Sequence, residues 1–179
     1  MTRDVVRDAF LAQQYEEGME LAAASDLLRL APLDGTPPER YLAEFSCTGL
    51  VRAPGGPVEE ASLFLIGFWF PADYLRRAEP WQVVSWLGPW HVFHPNISNT
   101  APAICVGRVV PGTPLVDLLY QCFEIITYRK VTMREDDALN REACSWARDH
   151  QHRFPVDARA LKRRSLELRI SHEPPRSAP

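Results

Sequence analysis

The stretch His91-Val92-Phe93-His94-Pro95-Asn96-Ile97-Ser98-Asn99-Thr100-Ala101-Pro102-Ala103-Ile104-Cys105-Val106-Gly107 divides the chain into two halves of different periodicity. Strand-like segments precede it and helix-like stripes follow it. From Gly88 to Pro111 little regular structure is expected, and a loop of that length inside a compact domain is usually functional or disordered. Its proline, tryptophan and isoleucine content argues against disorder. An ordered loop that carries a polar His94-Pro95-Asn96 cluster and then Cys105 is a candidate functional site.

Upstream, Tyr41 to Val51 alternates Tyr41, Ala43, Phe45 and Cys47 with polar residues, the period-two signature of a half-buried strand. Pro54-Gly55-Gly56-Pro57 supplies a turn. Ser62 to Phe70 is apolar almost throughout and reads as a central strand covered on both faces. Trp81 to Leu87 reads as a shorter third strand beside it, completing an antiparallel meander. At the start of the chain, apolar residues between Thr2 and Leu30 recur near a spacing of 3.6 and predict one long helix, bent near Gly18 and stopped by Pro32, Pro37 and Pro38.

Downstream, Thr113-Pro114 reads as a helix start, with threonine as cap and proline at the first helical position. Leu115, Leu118, Leu119, Cys122, Phe123 and Ile126 then form a core-facing stripe. Asp136-Asp137 opens a helix running through Trp146 with Asp137 as its cap, and a last helix is expected from Val156 to Ile170. The tryptophans are expected mostly in the core, with Trp90 on the loop and able to line a surface cleft. Helix, strands, long loop and three helices predict an α+β fold with the helices segregated from an antiparallel sheet. Residues 1–170 form a single domain in this reading, and 171–179 a disordered tail.

The chain has 179 residues, of which 46% are hydrophobic, enough for one sizeable core and no more. A formal net charge of −3 gives no whole-molecule reason to expect nucleic acid or an anionic membrane as partner, and Lys162-Arg163-Arg164 reads as a solvated helix face. The charged N-terminus lacks the apolar core of a secretory signal, and the longest apolar run, Leu63 to Pro71, is too short for a membrane span. A cytoplasmic location is expected. The four cysteines lie far apart with no C-x-x-C pair, so they are expected as reduced thiols rather than a disulfide framework or a zinc ribbon. Only Lys130 and Lys162 are lysines, and this arginine-rich composition is compatible with a GC-rich bacterial genome.

Against that background the chain resembles the ubiquitin-conjugating enzymes. Their signature is a His-Pro-Asn triplet, a short loop and an Ile-Cys pair, matched here by His94-Pro95-Asn96 and Ile104-Cys105. Leu63 to Tyr74 is similar to the family's third strand and the Pro-x-x-Tyr turn after it, and Asp136 to Ala143 to its Asp-Asp-Pro-Leu segment. The chain departs from the pattern in three places. The loop before the cysteine is one residue longer, Leu75 stands where proline is usual, and Gly112-Thr113-Pro114 replaces the Trp-Ser-Pro loop that commonly meets RING-type ligases. Such divergence is similar to that of prokaryotic ubiquitin-conjugating-like proteins. Their operons encode an activating enzyme, a ubiquitin-like modifier and often a metal-dependent deconjugating peptidase, and some act in antiphage defence.

The resemblance implies a ubiquitin-conjugating-enzyme-like fold and a transferase needing no cofactor. Cys105 would take the modifier from the activating enzyme as a thioester and pass it to an amine of a target protein. A thiolate suits this task because it is both a strong nucleophile and a good leaving group. Asn96 would support the oxyanion of aminolysis or hold the loop through its amide. His94 would fix the turn, and Asp137 would position or deprotonate an incoming lysine. The activating enzyme would bind the N-terminal helix. Residue types alone leave other readings open: a buried inert thiol, a Cys-His hydrolase, a zinc site of His91, His94 and Cys105, or a non-catalytic variant that binds the modifier or a partner.

Overall fold

In a computed structural model of the chain, residues 4–163 are described. The first helix, α1 (Val5–Ala23), is capped by Asp4, whose carboxylate accepts the Arg7 N–H at 3.1 Å. It is one continuous helix through Gly18. A Cβ at Gly18 would lie 3.0 Å from both Leu115 and Leu30 side chains, so the glycine marks the close approach of α1 to the core.

The expectation of one helix to Leu30 is corrected. After Ala23 the chain turns, and Leu28–Pro32 forms strand β1 with the alternating burial of Leu28 and Leu30 around exposed Arg29. Pairing with a neighbouring strand outweighs the local helical spacing here: β1 lies antiparallel to β2 (Arg40–Phe45), Leu28 opposite Phe45 and Leu30 opposite Ala43. Next come a two-stranded hairpin, β3 (Gly49–Val51) with β4 (Glu59–Ala61), and then β5 (Phe64–Trp69). Residues 80–83 are helical rather than part of a strand, because Pro80 presets the first helical position; this turn is α2 (Pro80–Val83), and strand β6 (Val84–Gly88) follows it.

The main sheet is antiparallel with order β1-β2-β5-β6, so β5 is an interior strand. Its burial nevertheless alternates: Phe64, Ile66 and Phe68 are buried on the inner face while Leu65 and Trp69 are only half-buried. One face of this sheet, rather than both, is the core. That face, with Tyr41, Ala43, Phe45 and Trp86, shares one buried cluster with Leu115, Leu118, Leu119, Cys122 and Phe123 of α3 (Leu115–Ile126). Burying each such aliphatic or aromatic side chain contributes about 1.5–3 kcal/mol.

Helix α3 begins at Leu115, but Thr113 does not cap it. The Thr113 hydroxyl closes its own turn on Val110, and the Leu115 N–H is taken by the Gln14 side chain of α1 at 2.7 Å. Asp137 is not a cap either. Glu135–Asp137 is a separate 3-10 turn, and α4 (Arg141–Asp149) starts after it under Asn140, whose side chain accepts the Ala143 N–H at 3.0 Å. The described part of the expected last helix, residues 156–163, is not helical. Side chains bind it to the sheet corner instead: the Asp157 carboxylate accepts the Thr48 N–H at 3.1 Å, and Arg159 donates to Ser46 O at 3.2 Å. The rest of that expected helix, and the tail from residue 171, lie outside the described residues. Among the described residues no helix is long and apolar enough to cross a membrane.

Candidate functional site

Between β6 and α3 the chain has only two isolated β-bridges, Val51 with Val92 and Ile97 with Ile104. The second makes a small hairpin. Ser98 closes its tip by accepting the Thr100 and Ala101 N–H groups, and the Pro102 carbonyl accepts the Trp86 N–H, fastening the tip to β6. Ile97 and Ile104 anchor it in the core, and Val106 is buried in turn. Cys105 lies between two buried residues and is itself half-buried, as strand alternation requires.

Asn96 is the brace of the site. Its backbone carbonyl accepts the Cys105 N–H at 2.7 Å, and its side-chain Nδ2 donates to the Cys105 carbonyl at 3.2 Å. Its Oδ1 accepts the Thr132 N–H at 2.8 Å. Exchanging Oδ1 and Nδ2 would set donor against donor at Thr132 and acceptor against acceptor at Cys105, so the amide orientation is fixed. In this arrangement Asn96 is 3% exposed and its amide is engaged by backbone at both ends. It holds Cys105 by its peptide groups and makes no bond to the thiol.

His94 is buried, and its Nδ1 accepts the Asn96 N–H at 3.0 Å, which places the proton of the neutral ring on Nε2. The imidazole stands edge-on to the Tyr128 ring, with 4.3 Å between centroids, and Nε2 has no hydrogen-bond partner among the described residues. Burial lowers the His94 pKa from 6.5 to about 3. A neutral, enclosed imidazole turned onto its own backbone cannot serve as the base of a Cys-His hydrolase. It cannot share a surface metal with His91 either, and no group of three potential metal ligands occurs among the described residues.

Asp137 is exposed and pairs with Arg134 at 3.4 Å, while its neighbour Glu135 pairs with Arg148. Its carboxylate makes no hydrogen bond to Cys105, but its backbone segment is tied to the triplet on both sides. Thr132 is bonded to Asn96 on one side, and on the other the Pro95 carbonyl accepts the Leu139 and Asn140 N–H groups at 2.9 and 3.2 Å. Residues 132–140 thus form a loop clamped at both ends to His94-Pro95-Asn96, with the acidic turn at its crest.

Three residues of the site carry no motif of their own in the sequence. Tyr128 adopts φ 59° just after α3 and donates its hydroxyl to the Phe93 carbonyl. Lys130 reaches the Val106 carbonyl with Nζ at 2.8 Å. Thr132 completes the Asn96 brace. A non-glycine residue at positive φ cannot be read from periodicity, and the partners of these side chains are distant in sequence. Gly107, at φ 92°, is the one signal that the chain turns sharply after the cysteine. Beside the triplet, a cleft of about 480 Å³ is lined by Trp90, His91 and Phe93, and by the Arg52–Glu142 ion pair at 2.5 Å. Trp90 is more than half exposed, as is Trp81; Trp69 and Trp146 are half-buried, so only Trp86 of the five is fully in the core.

The remaining thiols differ from Cys105. Cys47, Cys122 and Cys144 are all buried. Burial pushes the Cys47 pKa up to about 12 and also raises those of Cys122 and Cys144, so all three stay protonated at neutral pH. Cys105, half-buried, is therefore the one cysteine of the four that is not fully buried, and it is held by a braced backbone. The chain matches no model of a known protein family, and no curated protein matches it in sequence.

Proposed function

We propose that the chain is a ubiquitin-conjugating-like transferase: Cys105 accepts a ubiquitin-like modifier from an activating enzyme as a thioester and passes it to an amine of a target protein. The observation that carries this reading is the Asn96 brace, which fixes both peptide groups of the single accessible cysteine to a His-Pro-Asn turn. Thiol exchange and aminolysis both need a reachable sulfur held still while partners dock, and a braced cysteine that is not fully buried supports that reading. The α+β architecture, with an N-terminal helix, a four-stranded antiparallel sheet, the cysteine loop and then helices, is compatible with the ubiquitin-conjugating fold.

In the chemistry proposed, the Cys105 thiolate attacks the thioester carbonyl on the activating enzyme, whose thiolate leaves. An amine of the target then attacks the new thioester, the C–S bond breaks and Cys105 departs as thiolate. Asn96 acts by positioning the cysteine's backbone, and one Nδ2 hydrogen remains beyond the bond to the Cys105 carbonyl. Asp137, in the loop tied to the triplet at Thr132 and at Leu139–Asn140, is the acidic group proposed to meet an incoming lysine. The resemblance further supports docking of the activating enzyme on α1, a bacterial antiphage operon and a cytoplasmic setting.

The test is to incubate the chain with ATP and the activating enzyme and modifier of its operon, then run gels with and without reductant. A reductant-sensitive adduct that disappears in Cys105→Ala supports the transferase. A fully charged activating enzyme with no adduct overturns it in favour of a non-catalytic binding module.

A further inference from the structure

Leu115 of α3 lies against Gly18 of α1, and beside that contact the two helices bound a cleft of about 350 Å³. Glu17, Glu20 and Asp117 line it against a single ammonium, that of Lys162, and half-buried Val116 and Tyr120 supply an apolar wall. Lys162 pairs with Glu20 at 3.6 Å. Glu17 accepts the neutral Gln13 amide at 2.8 Å, and among the described residues no cation pairs with it or with Asp117. The cleft is therefore an acidic groove with one aliphatic and aromatic side, suited to a segment that carries both cations and apolar side chains.

The chain itself delivers such a segment to the rim. Leu161 is buried in the core, Lys162 lines the cleft, and Arg163 is bonded to the end of α1, its N–H to the Ala24 carbonyl and its Nη2 to the Ala23 carbonyl, each at 2.8 Å. The residues that follow, Arg164-Ser165-Leu166-Glu167-Leu168-Arg169-Ile170, hold two arginines and three aliphatic side chains. Glu17 lies six residues back from Ala23, about 9 Å of helix. Six extended residues reach about 20 Å, so Glu17 is within range of Arg169 from the Arg163 anchor.

We propose that this cleft is the seat of the chain's own residues 164–170, with Arg164 and Arg169 answering the carboxylates of Glu17 and Asp117 and with Leu166 and Leu168 covering Val116 and Tyr120. The proposal stands apart from the transferase reading. Charge complementarity selects a basic segment, and the covalent tether at Arg163 gives this one an effective concentration that a separate molecule lacks. An occupied cleft withholds the Glu17–Glu20 face of α1 from any other partner.

The test uses the full chain with Arg164→Lys or Arg169→Lys, each of which keeps the charge and introduces an amine. A water-soluble carbodiimide then joins that amine to a carboxylate in direct contact, and the products are mapped by peptide mass. The Lys162–Glu20 pair serves as the internal reference. The expected result is an amide from position 164 or 169 to Glu17 or Asp117, formed within one chain when isotopically light and heavy protein are mixed. Adding Leu166→Ser and Leu168→Ser should lower its yield at least fivefold. Coupling between light and heavy chains would assign the cleft to a second copy and overturn the proposal. So would coupling only to carboxylates outside the cleft, or none from either position while Lys162 couples to Glu20. A yield indifferent to the leucine substitutions would also overturn it, by showing a charged tether that never seats.

Discussion

Cys105 and Cys144 stand at the two ends of one line of hydrogen bonds and are used in opposite ways. The Cys105 carbonyl accepts from Asn96 Nδ2, Asn96 Oδ1 accepts the Thr132 N–H, and the Thr132 carbonyl accepts the Cys144 thiol at 3.4 Å. Cys144 contributes its sulfur to this scaffold and is buried, whereas Cys105 contributes its peptide groups and keeps its sulfur free. The difference lies in how each cysteine is held rather than in residue type. A thiol that serves as a structural donor is stabilised in its protonated form, while a thiol whose backbone alone is bound remains available for exchange.

The largest expected effect is on thiol reactivity. In the native protein iodoacetamide should alkylate Cys105 alone. Cys47, Cys122 and Cys144 should react about a thousandfold more slowly, at the rate of global or local unfolding. Comparable labelling of Cys144, read by peptide mass mapping, would break the contrast between the two ends of the line.

Removing the middle of the line should sharpen the contrast. Asn96→Ala leaves the Thr132 N–H and the Cys105 carbonyl without partners, at a cost of about 2 kcal/mol in stability, seen as a lowered denaturation midpoint. It should also loosen Cys105 and Cys144 together. Loss of aminolysis with thioester formation and stability intact would show instead that Asn96 acts on the oxyanion, for which one donor is worth about 3 kcal/mol of barrier.

The triplet should also be acid-sensitive. The His94 pKa is about 3 folded against 6.5 for the free side chain, so the unfolded chain binds the extra proton between those values. The stability held by neutral His94 is complete above pH 6.5 and is lost as pH falls towards 3. His94→Gln should flatten the denaturation midpoint over that range. Asp157, held near 2 chiefly by its hydrogen bond from Arg159, should add a further loss only between about pH 4 and 2.

Much of this arrangement was legible in the sequence because it is local. The alternation at Tyr41, Ala43 and Phe45, the stripe of α3 and the irregular loop after Gly88 each follow from a short-range pattern. The errors fall where a distant partner decides. Leu28 and Leu30 fit helical spacing until β2 offers them a strand to pair with. Asp137 and Asn140 both suit a cap by residue type, and it is Asn140, with its N–H and that of Leu139 bonded to the Pro95 carbonyl, whose side chain caps α4. Gln14 caps α3 from about a hundred residues away, a relation no spacing could announce. In the same way Cys105 and Asn96 stood out by motif, while Tyr128, Lys130 and Thr132 did not.

The smallest effects should come from the rim. Asn140→Ala should cost about 1 kcal/mol as a lost helix cap. Asp137→Asn should change stability by less than about 0.5 kcal/mol, because its pairing with Arg134 is exposed. A slower transfer to lysine at unchanged thioester loading would then give Asp137 a role in the reaction beyond its surface ion pair.

The most direct test is whether Cys105 alone becomes charged. With the operon's activating enzyme, its modifier and ATP, wild-type protein should form one adduct that reductant removes, Cys105→Ala none, and Cys105→Lys an adduct that reductant leaves in place. An adduct that survives Cys105→Ala, or none from wild type beside a fully charged activating enzyme, would contradict the account.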